Sequence, residues 1–237
     1  MKSIVLIGSS GFVGKALINH LSINEDKIKK IYCISRSITK VANNRKIFKI
    51  QKNILLLKKL PSVDAIIYLI NSKNLKESKK NFYKFRKLLI NLKKKPKILY
   101  LSSGAIYGKN EIKKKISENQ IITEKKIKKY KNYKKNYSLE KKYLENEFYK
   151  LSKEKYTISI ARCFTFVGTE IKNENFVISK ILNALKHNKK LNIKNATNTY
   201  RSYMHTDDLC RWLIRILLKN NKFQIFNVGS DDFLNLR

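Results

Sequence analysis

The sequence predicts an α/β protein, a parallel and doubly wound sheet with helices on both faces. Three observations lead there. Short apolar runs alternate with longer stretches of helical spacing, which is the pattern of βαβ units. The runs are apolar on both faces rather than alternating, as strands buried in a parallel sheet must be. And a glycine cluster stands where the first run passes into the first helical stretch. At 237 residues and 43% apolar content the chain can bury a sizeable core.

Taken in order, Ser3–Ile7 is a short apolar run ended by Gly8 and reads as the first strand. Phe12–Leu21 follows as a helix, with Val13, Leu17 and Leu21 at i, i+4 and i+8. Ile31–Ile34, Ile47–Ile50 and Ala65–Ile70 read as the second, third and fourth strands. Phe82–Leu92 is an amphipathic helix, Ile98–Leu101 a fifth strand, Tyr137–Leu151 a long helix and Thr157–Phe166 a sixth strand. Beyond Gly168 the pattern is less regular: a helix near Phe176–Lys186, a short strand at Leu191–Ile193, a helix at Asp207–Leu218 and a strand at Gln224–Val228. The Lys- and Asn-rich stretch Lys109–Asn136 has weak periodicity and reads as a long, exposed connection.

Composition narrows the function classes. The chain carries 53 basic residues against 17 acidic ones, a formal net charge of +36. Such a surplus raises the question of a polyanionic partner. The lysines, however, are spread along the whole chain, whereas nucleic-acid binders concentrate charge on one face or arm. The expectation is therefore solvated lysine-rich faces and no specific nucleic-acid site. Cys33, Cys163 and Cys210 are odd in number and widely spaced, which suits reduced thiols in a cytoplasmic protein. His20, His187 and His205 have no metal-ligand spacing, so no metal is expected. No run is long enough for a membrane span.

The glycines carry most of the functional signal. Average usage of about 7% would give roughly 17 in a chain of this length. It has seven: Gly8, Gly11, Gly14, Gly104, Gly108, Gly168 and Gly229. In so glycine-poor a chain each survivor marks a backbone position that needs one. Gly8, Gly11 and Gly14 stand three apart, directly after the first strand and opening the first helix. That placement serves a dinucleotide pyrophosphate, through a tight turn, a close backbone approach and close helix–strand packing.

This G-x-x-G-x-x-G spacing resembles that of the extended short-chain dehydrogenase/reductases, the NAD-dependent epimerase/dehydratase group with a Rossmann fold. Ser102-Ser103-Gly104-Ala105-Ile106-Tyr107-Gly108, at the end of strand five, is similar to the family's Ser-Ser-x-x-x-Tyr-Gly segment. The family's Tyr-x-x-x-Lys pair is less specific here. Tyr83/Lys87, Tyr130/Lys134, Tyr137/Lys141 and Tyr149/Lys153 all have the spacing, and about 2.5 such pairs are expected by chance in a chain this rich in lysine. Position selects Tyr137/Lys141, on the long helix before strand six, with Tyr130/Lys134 as runner-up. Further likeness runs through Ala161–Gly168, Tyr200–Asp208 and Asn227-Val228-Gly229, so it spans nearly the whole chain.

The resemblance implies an enzyme acting at C4 of a nucleotide sugar, a 4-ketoreductase or 4-epimerase serving surface-polysaccharide precursors. It implies catalysis by Ser103, Tyr137 and Lys141, with Tyr137 as acid/base and Lys141 lowering its pKa together with the coenzyme's charge. Coenzyme contacts would fall to Gly8, Ser10, Gly11, Phe12, Val13, Gly14, Arg36, Asn53, Tyr68 and Lys141. Substrate contacts would fall to Ser103, Thr165, Asn175, Arg201 and Tyr203. Arg162 leaves two readings open, a phosphate clamp and a structural ion pair. Family 4,6-dehydratases carry an Asp-Glu pair, and decarboxylases a Glu, where this chain has Gly104-Ala105, which argues against both reactions. NAD-binding members place an acid at the end of strand two, where this chain has Ser35-Arg36. An arginine suits a 2′-phosphate, so the expectation favours NADP and leaves NAD open. The expected division is residues 1–168 for the dinucleotide and 169–237 for the substrate, with some of the second portion packing on the first. Family members continue well beyond Arg237, which implies a fragment or a reduced substrate pocket. A homodimer is compatible with the resemblance. A non-catalytic dinucleotide sensor or RNA-binding relative of the same fold is the alternative function.

Overall fold

A computed structural model describes residues 1–37, 44–108, 115–130, 132–168, 177–191 and 200–235. Its centre is a seven-stranded parallel sheet. The strands are β1 (Ser3–Ile7), β2 (Lys30–Ser35), β3 (Ile47–Gln51), β4 (Ala65–Tyr68), β5 (Lys97–Ser103), β6 (Ile158–Cys163) and, from much further along, Gln224–Val228. They lie in the order Gln224–Val228, β6, β5, β4, β1, β2, β3. Two short pairs stand apart: β7 (Thr165–Val167) runs parallel to β9 (Tyr203–His205), and β8 (Tyr200–Arg201) pairs antiparallel with β11 (Leu234–Asn235). The strand Gln224–Val228 is β10 in this order.

Burial on both faces explains the strand sequences. Ile4 and Leu6 of β1 face one core, which α1 (Phe12–Asn24) covers with Leu17, Ile18 and Leu21, and α6 (Thr206–Lys219) covers with Leu209, Leu213 and Leu217. Val5 and Ile7 face the other core, covered by Phe82, Phe85 and Leu88 of α2 (Leu75–Ile90) and by Leu144, Phe148 and Leu151 of α4 (Asn132–Ser152). Side chains of successive strand residues point to opposite faces, so a strand between two helical layers has no solvent face.

The structure departs from the sequence reading at three places. Helix α2 begins at Leu75 rather than Phe82, because Asn74 caps it by accepting the Glu77 amide at 2.9 Å. The expected single strand Thr157–Phe166 is broken at Phe164. That residue's amide donates to Val228 O at 2.9 Å, and the chain then leaves the main sheet as β7. The lysine-rich connection contains α3 (Glu124–Lys128), whose Ile127 is fully buried, and α4 starts inside it at Asn132. Part of residues 169–237 joins the main sheet layers, as β10 pairs with β6 and α6 packs on α1. The strand expected at Leu191–Ile193 falls largely outside the described residues, and α5 covers Val177–Lys186.

Candidate active site

Sheet order reverses at β1, which lies between β2 and β4, and a cleft opens at their carboxyl ends, where doubly wound sheets bind ligands. Gly8 makes the turn out of β1 with φ +94°, and a Cβ there would come within 3.0 Å of the Ile70 amide nitrogen. At Gly14 a Cβ would meet Ser9 O at 2.4 Å, so helix and strand pack backbone to backbone. Gly11 differs from both. The nearest atom to a Cβ there is Gly8 O at 3.5 Å, and the position faces the cleft. No side chain caps α1 and no acid occupies its first turn, so its amides are left for an anion. These features fit a dinucleotide pyrophosphate.

Gly8, Ser10, Gly11, Arg36 and Asn53 line the cleft. The Asn53 side chain accepts the Leu55 amide at 3.1 Å and so fixes the turn that follows. Arg36 donates to Glu77 Oε1 at 3.4 Å. Phe12 is placed beside the cleft and stacks on Phe166, centroids 5.3 Å apart. Two expected coenzyme contacts lie elsewhere. Val13 packs in the core under α1, and Tyr68 is fully buried among Phe85, Tyr100 and Phe148. Leu69 and Ile70, just beyond the end of β4, line the cleft.

The catalytic candidates meet at the carboxyl end of β5. Ser103 Oγ accepts the Ala105 amide at 3.2 Å and sits near enough to the Tyr137 phenol to lower its pKa. Lys141, one turn further along α4, is buried, donates to Leu101 O at 3.3 Å and lies 5.5 Å from the Tyr137 ring centroid. Burial pushes the Tyr137 phenol up to about 12, with the Ser103 hydrogen bond pulling against it. Burial also lowers the pKa of Lys141.

A buried polar network backs this group. Glu145 Oε1 accepts from Ser102 Oγ at 2.5 Å, and Arg162 Nη2 donates to Glu145 Oε2 at 2.8 Å. Arg162 Nη1 donates to Tyr107 Oη at 2.7 Å, and Tyr107 Oη donates to Asn227 Oδ1 at 2.7 Å. Of the two readings of Arg162, the structure shows the ion pair. Glu145 went unnoticed in the sequence, although it lies one turn beyond Lys141 on the same helix face.

On the substrate side, Thr165 and Tyr203 are Cα partners in the β7–β9 pair, and Arg201 belongs to β8. Lys134, which the sequence reading placed only in the runner-up pair, is held near Arg201. Burial and then the Arg201 charge push its ammonium down to about 8. The same charge acts on Tyr130 and Tyr203. Asn175 lies outside the described residues.

Fold and site together define a doubly wound α/β protein with a glycine-turn cleft at its switch point and a Ser–Tyr–Lys group beside it. The model of the NAD dependent epimerase/dehydratase family matches residues 4–229, and the chain belongs to that family. A curated relative, dTDP-D-glucose 4,6-dehydratase of Dictyostelium discoideum, is 26% identical over 258 residues. The match covers 98% of this chain and 59% of the relative, so the chain spans well under two thirds of that relative's length. Among solved structures, dTDP-glucose 4,6-dehydratase of Bacillus anthracis in complex with NAD superposes with TM-score 0.78 at 13% identity, covering 99% of this chain and 77% of that one. UDP-N-acetylglucosamine 4-epimerase of Methanobrevibacter ruminantium gives 0.76 at 18% identity, covering 99% and 78%. At these identities the superpositions establish the fold. Among the described residues no helix is long and apolar enough to cross a membrane, and no side-chain cluster is suited to a metal.

Proposed function

We propose that the chain is a nicotinamide-dinucleotide enzyme that acts at C4 of a nucleotide sugar, as a 4-ketoreductase or 4-epimerase, with NADP the favoured coenzyme. The observation that carries this reading is the meeting of Ser103, Tyr137 and Lys141 at the carboxyl end of β5, with Lys141 buried, held on Leu101 O and 5.5 Å from the Tyr137 ring centroid. Ser103 would hold the sugar O4, and Tyr137 would give it a proton as a carbonyl is reduced or take the proton as an alcohol is oxidised. Lys141, fixed on Leu101 O, would orient the coenzyme ribose and the phenol. The bound coenzyme supplies or accepts the hydride at C4.

Two observations support the substrate class. Arg201 and Lys134 bring two cations together, an arrangement that a diphosphate would relieve. And a carboxylate at position 104 has no room as the site stands, since even a Cβ there would press into the Phe164 ring at 2.8 Å. That supports reduction or epimerisation over the dehydration named for the Dictyostelium relative. Arg36 at the cleft supports NADP. Three buried free thiols suit a cytoplasmic enzyme. A homodimer and a role in surface-polysaccharide precursor synthesis complete the reading. The test is turnover of UDP- and dTDP-linked 4-keto sugars with NADPH or NADH, followed by nicotinamide absorbance. Reduction of a 4-keto sugar is the expected result. Loss of water from dTDP-glucose or UDP-glucose, or no turnover with any member of the panel, would overturn the proposal.

A further inference from the structure

We propose that Glu77 is a coenzyme-specificity residue, whose carboxylate competes with a 2′-phosphate for Arg36 and keeps the protein from discriminating strongly between NADPH and NADH. The inference rests on the coenzyme reading above and goes beyond it, because that reading gives coenzyme choice to Arg36 alone.

The local sequence fixes the carboxylate. Asn74-x-x-Glu77 is a capping box at the start of α2. Asn74 Oδ1 accepts the Glu77 amide at 2.9 Å, and Glu77 Oε2 accepts the Lys73 amide at 2.8 Å. One oxygen is committed to the helix cap, and the other, Oε1, is turned to Arg36 Nη1 at 3.4 Å. Glu77 is therefore not a mobile counter-ion that an incoming phosphate can push aside. Moving it would break its hydrogen bond to the Lys73 amide.

The position matters because of what surrounds it. Arg36 directly follows β2, and its neighbours on the cleft wall include Ser35, Lys52 and Asn53. Among the described residues lining the cleft, Glu77 is the only carboxylate, in a chain with three basic residues for each acidic one. The Arg36 side chain is 60% exposed and makes a single long contact with Glu77. Such a pair is weak, so a phosphate dianion can take the guanidinium over. The dianion would then lie beside a carboxylate that cannot leave, and the repulsion offsets part of the new pairing. An unphosphorylated ribose meets no such conflict. Its hydroxyls can donate to an acid at this end of the cleft, the role that an acid after strand two fills in NAD-binding Rossmann proteins. Here α2 would deliver the acid instead.

The experiment uses the whole chain and measures the dissociation constants of NADPH and NADH for the wild type, Glu77→Gln, Arg36→Met and the double variant. Glutamine at this capping position still accepts the Lys73 amide, so Glu77→Gln removes charge and keeps the helix start. A thermal melt confirms the fold. NADPH should bind about five- to tenfold more tightly to Glu77→Gln while NADH binds no better. Loss of Arg36 should weaken NADPH more in the Glu77→Gln background than in the wild type, since the competitor for the guanidinium is gone. If the NADPH-to-NADH ratio in folded Glu77→Gln equals that of the wild type, the proposal is refuted while the coenzyme reading stands. If the wild type binds neither coenzyme, the coenzyme reading falls and takes the proposal with it.

Discussion

Four Tyr-x-x-x-Lys pairs share one spacing, and it is their surroundings that separate them. In Tyr83/Lys87, Tyr130/Lys134 and Tyr149/Lys153 the ammonium lies 4.6, 4.1 and 4.7 Å from its own tyrosine ring centroid. Tyr83 and Tyr149 are exposed, and Tyr130 donates to Gly108 O at 2.6 Å. Among the four, it is Tyr137 whose phenol lies by Ser103, with Lys141 buried beside it. Tyr137→Phe should therefore lower kcat by about 10²–10⁴-fold, the usual contribution of a positioned acid/base, with coenzyme affinity nearly intact. Tyr130→Phe should keep most of its turnover, and kinetics on both variants checks the choice of pair. Gly11 allows an equally clean test. A side chain there meets no protein atom closer than Gly8 O at 3.5 Å and projects toward the cleft. Gly11→Val should fold with an unchanged melting temperature and lose coenzyme binding in a titration.

At the scale of elements, β4, β5 and α4 share an aromatic core with two polar misfits. The hydroxyls of Tyr68 and Tyr100 are buried without a hydrogen-bond partner. An unsatisfied buried hydroxyl costs about 1–3 kcal/mol, so Tyr68→Phe should stabilise the protein by about 1 kcal/mol in denaturant unfolding. It should also leave coenzyme affinity unchanged, because the ring is not at the cleft. Weaker coenzyme binding would restore the role that the sequence suggested for Tyr68. The pair joining β6 to α4 behaves in the opposite way. Arg162 and Glu145 side chains are 4% and 7% exposed. Arg162→Met would strand a buried carboxylate and should cost about 3–5 kcal/mol. The double change Arg162→Met with Glu145→Leu should recover much of that loss, as thermal or denaturant melts would show.

For the molecule as a whole, the expectation that the charge of +36 is a diffuse field rather than a site can be tested directly. Binding to RNA or duplex DNA should be independent of sequence and fall by orders of magnitude between about 50 and 200 mM salt. Tight binding that survives the higher salt in a filter or anisotropy assay would contradict this. The strands of the large sheet were legible because burial on both faces leaves unbroken apolar runs, and the nucleotide turn because so few glycines remain. Other features were hidden for physical reasons. The first turn of α2 is polar and shows only as a capping box, so Glu77 escaped notice. The break at Phe164 depends on a hydrogen bond to Val228, 64 positions away in sequence. The fate of Arg162 and the acidity of Tyr137 depend on burial, which no local pattern records.

The seventh strand imposes an order of assembly. Residues 3–103 supply five of the seven strands and the whole glycine-lined cleft, so that half can take shape while a nascent chain is still emerging. The wall behind Ser103 cannot. Its last link is Asn227, whose amide binds Glu118 at 2.8 Å and whose side chain receives the Tyr107 hydroxyl. A ribosome-bound chain stalled before residue 224 should therefore be able to grip coenzyme while remaining chemically silent, so that translation delivers binding first and reactivity last.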